Sequence, residues 1–165
     1  MARSEGFAPI ARPDARILVL GSLPGRKSLT EQQYYAHPQN AFWPIMRELF
    51  GVEGDYPDRC ELLKEQHIAL WDVLRSSVRP GSMDSDIRMD SAEANDFQLF
   101  FAGHKSIELV VFNGKKSKQM FDRFVDRTTI PGSTRCVGLP STSPAFAAMP
   151  FSGKLSAWRA VLLPE

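Results

Sequence analysis

Apolar residues along the chain form four short runs, each about as long as a buried β-strand. The runs cover residues 16–21, 68–74, 107–112 and 134–139, and the first of them stops at a glycine. Continuous apolar runs of this length, bounded by turn residues, are typical of strands that are buried on both faces of a parallel sheet. The sequence therefore predicts a central sheet of four strands.

Between and after these runs, apolar residues recur at helical spacing. The spacing predicts helices over residues 41–50, 59–66, 96–102, 115–125 and 153–163. Asn40 is well placed to cap the first of these helices. Strands that alternate with helices imply a sheet covered on both faces, so we predict a single-domain, three-layer α/β/α fold with a mostly parallel four-stranded sheet. This domain covers residues 15–165, and residues 1–14 are predicted to form an irregular arm.

Three loops follow strands and so are the expected places for a functional site, which in such sheets forms at the carboxyl ends of strands. These loops cover residues 22–40, 75–91 and 140–147. The second is polar and rich in turn residues, and a loop of that length is usually functional or mobile.

The first and third loops have unusual sequences. The first loop, together with the first three residues of the helix that follows it, reads GSLPGRKSLTEQQYYAHPQNAFW. It combines a Gly-Pro turn with flat aromatic rings and with Asn40, whose amide can both donate and accept hydrogen bonds. The third, LPSTSPA, places three hydroxyls between two prolines, and hydroxyls of this kind bind phosphates. Taken separately, each loop is equally compatible with a plain turn, a helix cap and core aromatic residues.

Taken together and in this order, the loops resemble the two active-site motifs of the uracil-DNA glycosylase superfamily, over roughly residues 15–163. GSLPG is similar to the GxNPG turn of the mismatch-specific uracil/thymine glycosylases, and AHPQNAFW is similar to their HPxNxFW segment. FNGKK, at residues 112–116, is similar to an FNGK stretch of the thymine-DNA glycosylases. The whole set looks most like the hypoxanthine-DNA (deoxyinosine) glycosylase branch.

One departure from the mismatch-specific pattern affects the expected chemistry. The third position of the GxNPG turn carries, in that branch, the asparagine associated with water activation, and here it is Leu23. Leucine can neither orient water nor accept a proton. In the hypoxanthine branch the asparagine of the HPxNxFW segment is tied to activity, and it corresponds to Asn40. The resemblance therefore implies a hypoxanthine-type site.

The resemblance also implies roles for other residues of the two loops. The implied base pocket consists of Ser22, Leu23, Pro24, Gly25, Tyr35 and Phe42, with Tyr35 stacked on the flipped base. The residues assigned to phosphate contact or intercalation are Ser141, Thr142, Ser143, Pro144 and Lys115, with Lys116, Lys118, Arg75 and Arg79 as further phosphate candidates.

Two more side chains are candidates for proton transfer. His37 is a second catalytic candidate, for protonation of the departing purine, although a histidine before proline more often fixes its own loop. Asp72 follows a strand and is the nearest candidate carboxylate, with a solvated or loop-pinning role as the alternative.

Composition restricts the class of protein. The chain has 165 residues, 43% of them hydrophobic, with 11 phenylalanines and a formal net charge of +1, so we expect one domain, a substantial core and only modest nonspecific affinity for DNA. No apolar run approaches the ~20 residues that span a bilayer. The two cysteines lie far apart, as expected for reduced thiols in a cytoplasmic protein.

Neither a metal nor a cofactor is expected. The four-cysteine pattern of the iron–sulfur members of the superfamily is absent from the sequence, and no His/Cys/Asp cluster has metal-ligand spacing.

The sequence thus predicts a monomeric, monofunctional DNA glycosylase that flips out and hydrolyses a deaminated base, with hypoxanthine favoured. Three alternatives stay open: a uracil glycosylase, a xanthine glycosylase, and an inactive DNA-binding member of the fold. A nucleotide-binding α/β protein is disfavoured because the GxxxxGK[ST] and GxGxxG patterns are both absent.

Overall fold

A four-stranded parallel sheet forms the centre of the computed structural model, which describes residues 3–81 and 83–164. The strands in chain order are β1 (Arg3–Glu5), β2 (Ile17–Gly21), β3 (Ile68–Asp72), β4 (Leu74–Val78), β5 (Glu93–Ala94), β6 (Leu109–Asn113) and β7 (Arg135–Leu139). The helices are α1 (Arg26–Glu31), α2 (Phe42–Phe50), α3 (Tyr56–Glu65), α4 (Phe97–Gly103), α5 (Lys115–Phe124) and α6 (Phe151–Leu162). The main sheet has the order β3-β2-β6-β7, and all three neighbouring pairs are parallel.

Alternate residues of the central strands enter two separate cores. In β2, Leu18 and Leu20 pack with the phenylalanines of α4 and α5, whereas Val19 packs on the other face with α2, α3 and α6. This alternation follows from the pleat, which turns successive side chains to opposite faces. The predicted three-layer α/β/α domain and its four strands are confirmed, with boundaries that differ by a few residues.

A second, smaller sheet corrects two predictions. β4 lies between β1 and β5 in an antiparallel sheet, in which Arg3 is opposite Val78. The predicted irregular arm, residues 1–14, therefore contains a strand, and the predicted loop 75–91 begins with one. These strands read RSE and LRSSV, so they show no long apolar run. Their pairing depends on backbone hydrogen bonds between distant segments, which an apolar pattern does not reveal.

Residues 79–81 and 83–91 include two single-turn 3-10 helices, at Asp84–Asp86 and Met89–Ser91, and Ile87 between them packs into the core that contains the phenylalanines of α4. The short helix α1, with the sequence RKSLTE, was not predicted because it lacks a repeating apolar face. No helix among the described residues has the length and apolarity needed to cross a membrane.

Candidate active site

A cleft of about 870 Å³ opens at the carboxyl ends of the main strands. Its floor includes the last residues of β2, β3 and β6, which are Gly21, Asp72 and Asn113. The loops after β2 and β7 form its two walls. The site thus lies where a parallel sheet is expected to place it, because the ends of neighbouring strands meet there without side-chain cover from helices.

The GSLPG turn forms the first wall, and Arg79 and Asp84 hold it in place. Ser22 is buried and donates its hydroxyl hydrogen to Asp84, while Leu23 presents an apolar side chain to the cleft. The guanidinium of Arg79 donates to the carbonyl oxygens of Leu23 and Pro24. Arg79 is itself buried, so its predicted contact with DNA phosphate is wrong, and its role is to fix the turn.

Tyr35 has an uncommon backbone conformation. Its φ of +55° lies in the left-handed region, which is uncommon for an aromatic residue and marks a constrained position. This conformation places the Tyr35 ring on Phe42, with centroids 4.4 Å apart and an interplanar angle of 29°. Tyr35 lines the cleft, but Phe42 is 0% exposed and does not, so the prediction that Phe42 forms part of the base pocket is wrong. Phe42 supports Tyr35 from behind.

The preceding tyrosine, Tyr34, is buried and fixes the loop through hydrogen bonds. Tyr34 donates its hydroxyl hydrogen to the carbonyl of Ala8, and its own carbonyl accepts from the indole of Trp43. The Tyr-Tyr pair therefore divides its tasks, with Tyr34 fixing the loop and Tyr35 facing the cleft.

Asn40 and His37 both line the cleft. Helix α2 is capped by Ala41 rather than by Asn40, but the Oδ1 atom of Asn40 accepts the Phe42 N–H at 2.9 Å, so it still satisfies one donor of the first turn. This bond fixes the orientation of the amide and leaves the Nδ2 atom without a hydrogen-bond partner among the described residues. His37 is exposed, and its Nδ1 atom accepts the Gln39 N–H at 3.1 Å, which fixes the His-Pro turn.

The opposite wall, LPSTSPA, is tied to the sheet by Asn113. Its Nδ2 donates to the Thr142 hydroxyl and its Oδ1 accepts the Thr142 N–H, both at 2.9 Å. Thr142 is 1% exposed, so the prediction that it contacts a phosphate is wrong. Gly114, with φ +96°, allows the close approach, since a Cβ there would lie 3.1 Å from the Cβ of Ser141. The FNGK stretch is identifiable in the sequence only as a resemblance, and no sequence pattern marks Asn113 as a site residue.

Ser141, Ser143 and Pro144 lie along the cleft with their loop internally bonded. The hydroxyl of Ser141 accepts the Ser143 N–H, and the hydroxyl of Ser143 accepts the Ala145 N–H, both at 3.1 Å. Lys154 of α6 donates to the Ser143 carbonyl at 3.1 Å, and burial lowers its pKa. Each serine keeps a hydroxyl hydrogen that can be donated to a ligand.

Exposed basic side chains line the mouth of the cleft. They are Arg26, Lys27, Lys115 and Lys118. Lys27 and Lys118 also pair with Glu31 and Asp122 on their own helices. Arg75 lies on the small sheet and pairs with Glu93 at 2.6 Å, and it does not line the cleft. A chain of net charge +1 thus places a local group of cations at one opening.

Asp72 is the most perturbed carboxyl group of the cleft. It is 4% exposed, and its Oδ2 atom has no hydrogen-bond partner among the described residues. Burial and the neighbouring Asp84 raise its pKa to about 7, although Arg79 opposes the rise. Sequence reasoning noted Asp72 but favoured a solvated or pinning role, because its burial depends on residues that are distant in sequence.

Among the described residues, no group of three His, Cys, Asp or Glu side chains is arranged to hold a metal ion.

The chain is similar in sequence and in fold to known DNA glycosylases. A family model described as the uracil DNA glycosylase superfamily matches residues 8–163. A hypoxanthine DNA glycosylase of Methanosarcina barkeri is 39% identical over 70% of this chain and 73% of its own length, and one of Methanosarcina acetivorans is 36% identical over 68% and 72%. A solution NMR structure of a provisionally assigned uracil DNA glycosylase from Methanosarcina acetivorans superposes with a TM-score of 0.81 at 31% identity, covering 98% of this chain and 97% of that one.

The raised pKa of Asp72 predicts a pH-dependent stability difference between the wild type and Asp72→Asn. The pKa of an aspartate in the unfolded chain is about 4, and that of Asp72 in the folded protein is about 7. Between these pH values the folded protein therefore binds one proton more than the unfolded chain. Wild-type stability therefore falls as the pH rises from about 4 to about 7. We expect thermal unfolding to show the variant gaining up to about 4 kcal/mol on the wild type across this range. Parallel stability curves would contradict the assignment.

Proposed function

Because this chain belongs to the uracil-DNA glycosylase superfamily, we propose that it excises hypoxanthine from DNA as a monofunctional glycosylase. The observation that carries the proposal is the placement of Tyr35 and Asn40, both on the loop after β2, in one cleft bordered by the serine loop. The two relatives named as hypoxanthine DNA glycosylases support the choice of base. The absence of a polar side chain at Leu23 supports it further.

The target nucleotide must leave the duplex before its glycosidic bond is accessible. Flipping costs a few kcal/mol, and a mispaired base costs least. Tyr35 offsets part of this cost, since stacking of a base on an aromatic ring contributes roughly 1–3 kcal/mol. The Phe42 ring behind it keeps the Tyr35 ring from turning away, so the stacking surface exists before DNA binds.

Asn40 acts on the charge that develops as the bond breaks. Cleavage leaves positive charge on the sugar and negative charge on the base, and a preorganised neutral donor stabilises the latter. The Phe42 N–H holds the Oδ1 atom of Asn40, so its Nδ2 atom is the free donor. We assign this Nδ2 to the departing base, and Leu23 to the apolar wall beside it.

The lysines of the cleft favour hydrolysis over a covalent intermediate. A Schiff base requires an uncharged lysine amine next to the sugar. Lys27 and Lys118 are engaged with carboxylates of their own helices at 3.0 and 2.7 Å, and all three lysines, Lys115 included, are exposed rather than enclosed beside a sugar. We propose that the basic mouth binds the phosphates that flank the flipped nucleotide, with the hydroxyls of Ser141 and Ser143. The protein would act as a monomer on intracellular DNA, without metal or cofactor.

A panel of duplexes tests the proposed function. The duplexes carry inosine, uracil, xanthine or a thymine mismatch in one sequence context, and single-turnover release of the base is measured. We expect inosine to be processed fastest and to leave an alkali-labile abasic site. Faster release of uracil or xanthine would replace hypoxanthine as the substrate, and binding without release of any base would identify an inactive DNA-binding protein.

Substitution of Asn40 separates catalysis from capping. Asn40→Ala should reduce single-turnover inosine excision about a hundredfold or more, the scale for losing one preorganised donor. Asn40→Asp keeps an acceptor for the Phe42 N–H but has no Nδ2 donor. This variant should therefore fold normally and lose excision activity as Asn40→Ala does. Loss of the cap alone costs only about 1 kcal/mol of stability. Full activity in Asn40→Asp would show that Asn40 is structural. As a comparison, Leu23→Ala should cost much less activity, since it removes only apolar wall.

Substitution of Tyr35 tests the stacking surface. Tyr35→Ala should lose most of the inosine excision activity, while Tyr35→Phe keeps the ring on Phe42 and should retain most of it. The measurement is the single-turnover rate, with circular dichroism to verify the fold. Equal losses in the two variants would assign the effect to the hydroxyl group or to packing.

A further inference from the structure

The Asp72 carboxyl group is built into the cleft without a partner of its own. Asp72 ends β3 and lies opposite Gly21 in the parallel register. Its backbone carbonyl accepts from the Asn95 amide at 2.8 Å, but its Oδ2 atom is unpartnered among the described residues. A buried carboxyl oxygen without a hydrogen bond is costly and uncommon. Since Asp72 lines the cleft, a bound ligand can supply the missing partner.

The absence of a side chain at Gly21 keeps this part of the cleft open. A Cβ at Gly21 would lie 2.5 Å from the Oδ1 atom of Asp72 and 3.1 Å from the hydroxyl oxygen of Tyr35. The Tyr35 hydroxyl is buried at the same point, with the Asn113 side chain as its hydrogen-bonding neighbour. The ring that stacks on the base and the unpartnered carboxyl group therefore meet over the same glycine.

The groups that face Asp72 favour a proton on it. Apart from burial, the Asp84 carboxylate raises its pKa, and the Arg79 guanidinium lowers it by less. Tyr34 and Tyr35 also face Asp72, and their own pKa values are raised by burial and by its charge, so both stay neutral. A carboxyl group with a pKa of about 7 holds its proton in a large part of the molecules at neutral pH and can donate it.

We propose that Asp72 is the general acid of base excision, which transfers its Oδ2 proton to a ring nitrogen of the departing purine. The proposal rests on the hypoxanthine glycosylase function proposed above. As the C1′–N9 bond breaks, its electron pair stays on the purine, and the proton from Asp72 makes the leaving base a neutral hypoxanthine. Water adds its oxygen to C1′ and releases a proton to solvent. The Asp72 carboxylate then takes up a proton from solvent, which restores the acid.

This role provides discrimination between base classes. Hypoxanthine keeps basic ring nitrogens with free lone pairs after it has been flipped out, whereas uracil presents only carbonyl oxygens and an N–H group at its free edges. A proton donor in the pocket therefore accelerates loss of the purine more than loss of the pyrimidine. Asn40, a neutral donor, serves both.

The pH profile of single-turnover inosine excision tests the proposal. In the wild type the rate should fall about tenfold per pH unit above about pH 7, because only the protonated carboxyl group donates. Asp72→Asn should be slower by about a hundredfold at pH 6.5 and should lose this alkaline limb. Asp90→Asn, on an exposed 3-10 turn, is the matched control and should keep the wild-type rate and profile. Unchanged excision in Asp72→Asn, or a retained alkaline limb, would overturn the acid role.

A second variant keeps Asp72 and alters its surroundings. Asp84→Asn removes the carboxylate that raises the Asp72 pKa, so the alkaline limb should move to lower pH. The pH profile of Asp84→Asn tests the acid role of Asp72 even where Asp72→Asn does not fold. An alkaline limb at the same pH as in the wild type would overturn the proposal. If the wild type released no hypoxanthine at any pH, the proposed function would fail and the acid role with it. Activity without an alkaline limb would overturn the acid role alone.

Discussion

Two hydrogen bonds between Asn113 and Thr142 connect the separate parts of the cleft. Asn113 ends the strand β6 at the centre of the sheet, and Thr142 belongs to the loop after β7. The carbonyl of Thr142 in turn accepts the Ala41 N–H at 2.9 Å, next to Asn40. Thr142, a buried residue of the serine loop, thus links that loop to the sheet and to the start of α2. Because these polar groups are buried, breaking one contact leaves its partner unsatisfied, at a cost of about 1–3 kcal/mol.

The electrostatic design of the cleft separates its floor from its mouth. Asp72 and Asp84 lie inside, where burial raises the pKa of both groups. The cations Lys27, Lys115 and Lys118 lie at the opening, where phosphate would approach. A polyanion therefore meets positive charge first, and the flipped base meets neutral donors and an apolar wall. Specificity in this arrangement depends on the floor, and attraction depends on the mouth.

The small antiparallel sheet has a functional consequence beyond its size. Pairing of β1 with β4 fixes the start of the segment that carries Arg79 and Asp84. Those two side chains bind the GSLPG turn through its carbonyl oxygens and through Ser22. They also act on the pKa of Asp72, which burial raises most: Asp84 raises it further and Arg79 lowers it. Strand β1 thereby influences the pKa of Asp72, because its pairing with β4 positions the segment that carries Arg79 and Asp84.

The sequence by itself determined the main sheet, five of the six helices and the two loops that border the cleft. Apolar runs and helical spacing report which segments are buried, and the ordered motifs identify the family. The positions of Tyr35 and Asn40 in the cleft also followed from those motifs. Only the tertiary structure decided which side chains are enclosed: Phe42, Thr142 and Arg79 are buried as supports, and Asp72 is buried with no hydrogen-bond partner for its Oδ2 atom among the described residues. Burial and pKa depend on neighbours contributed by distant segments, so no local pattern of residues contains them.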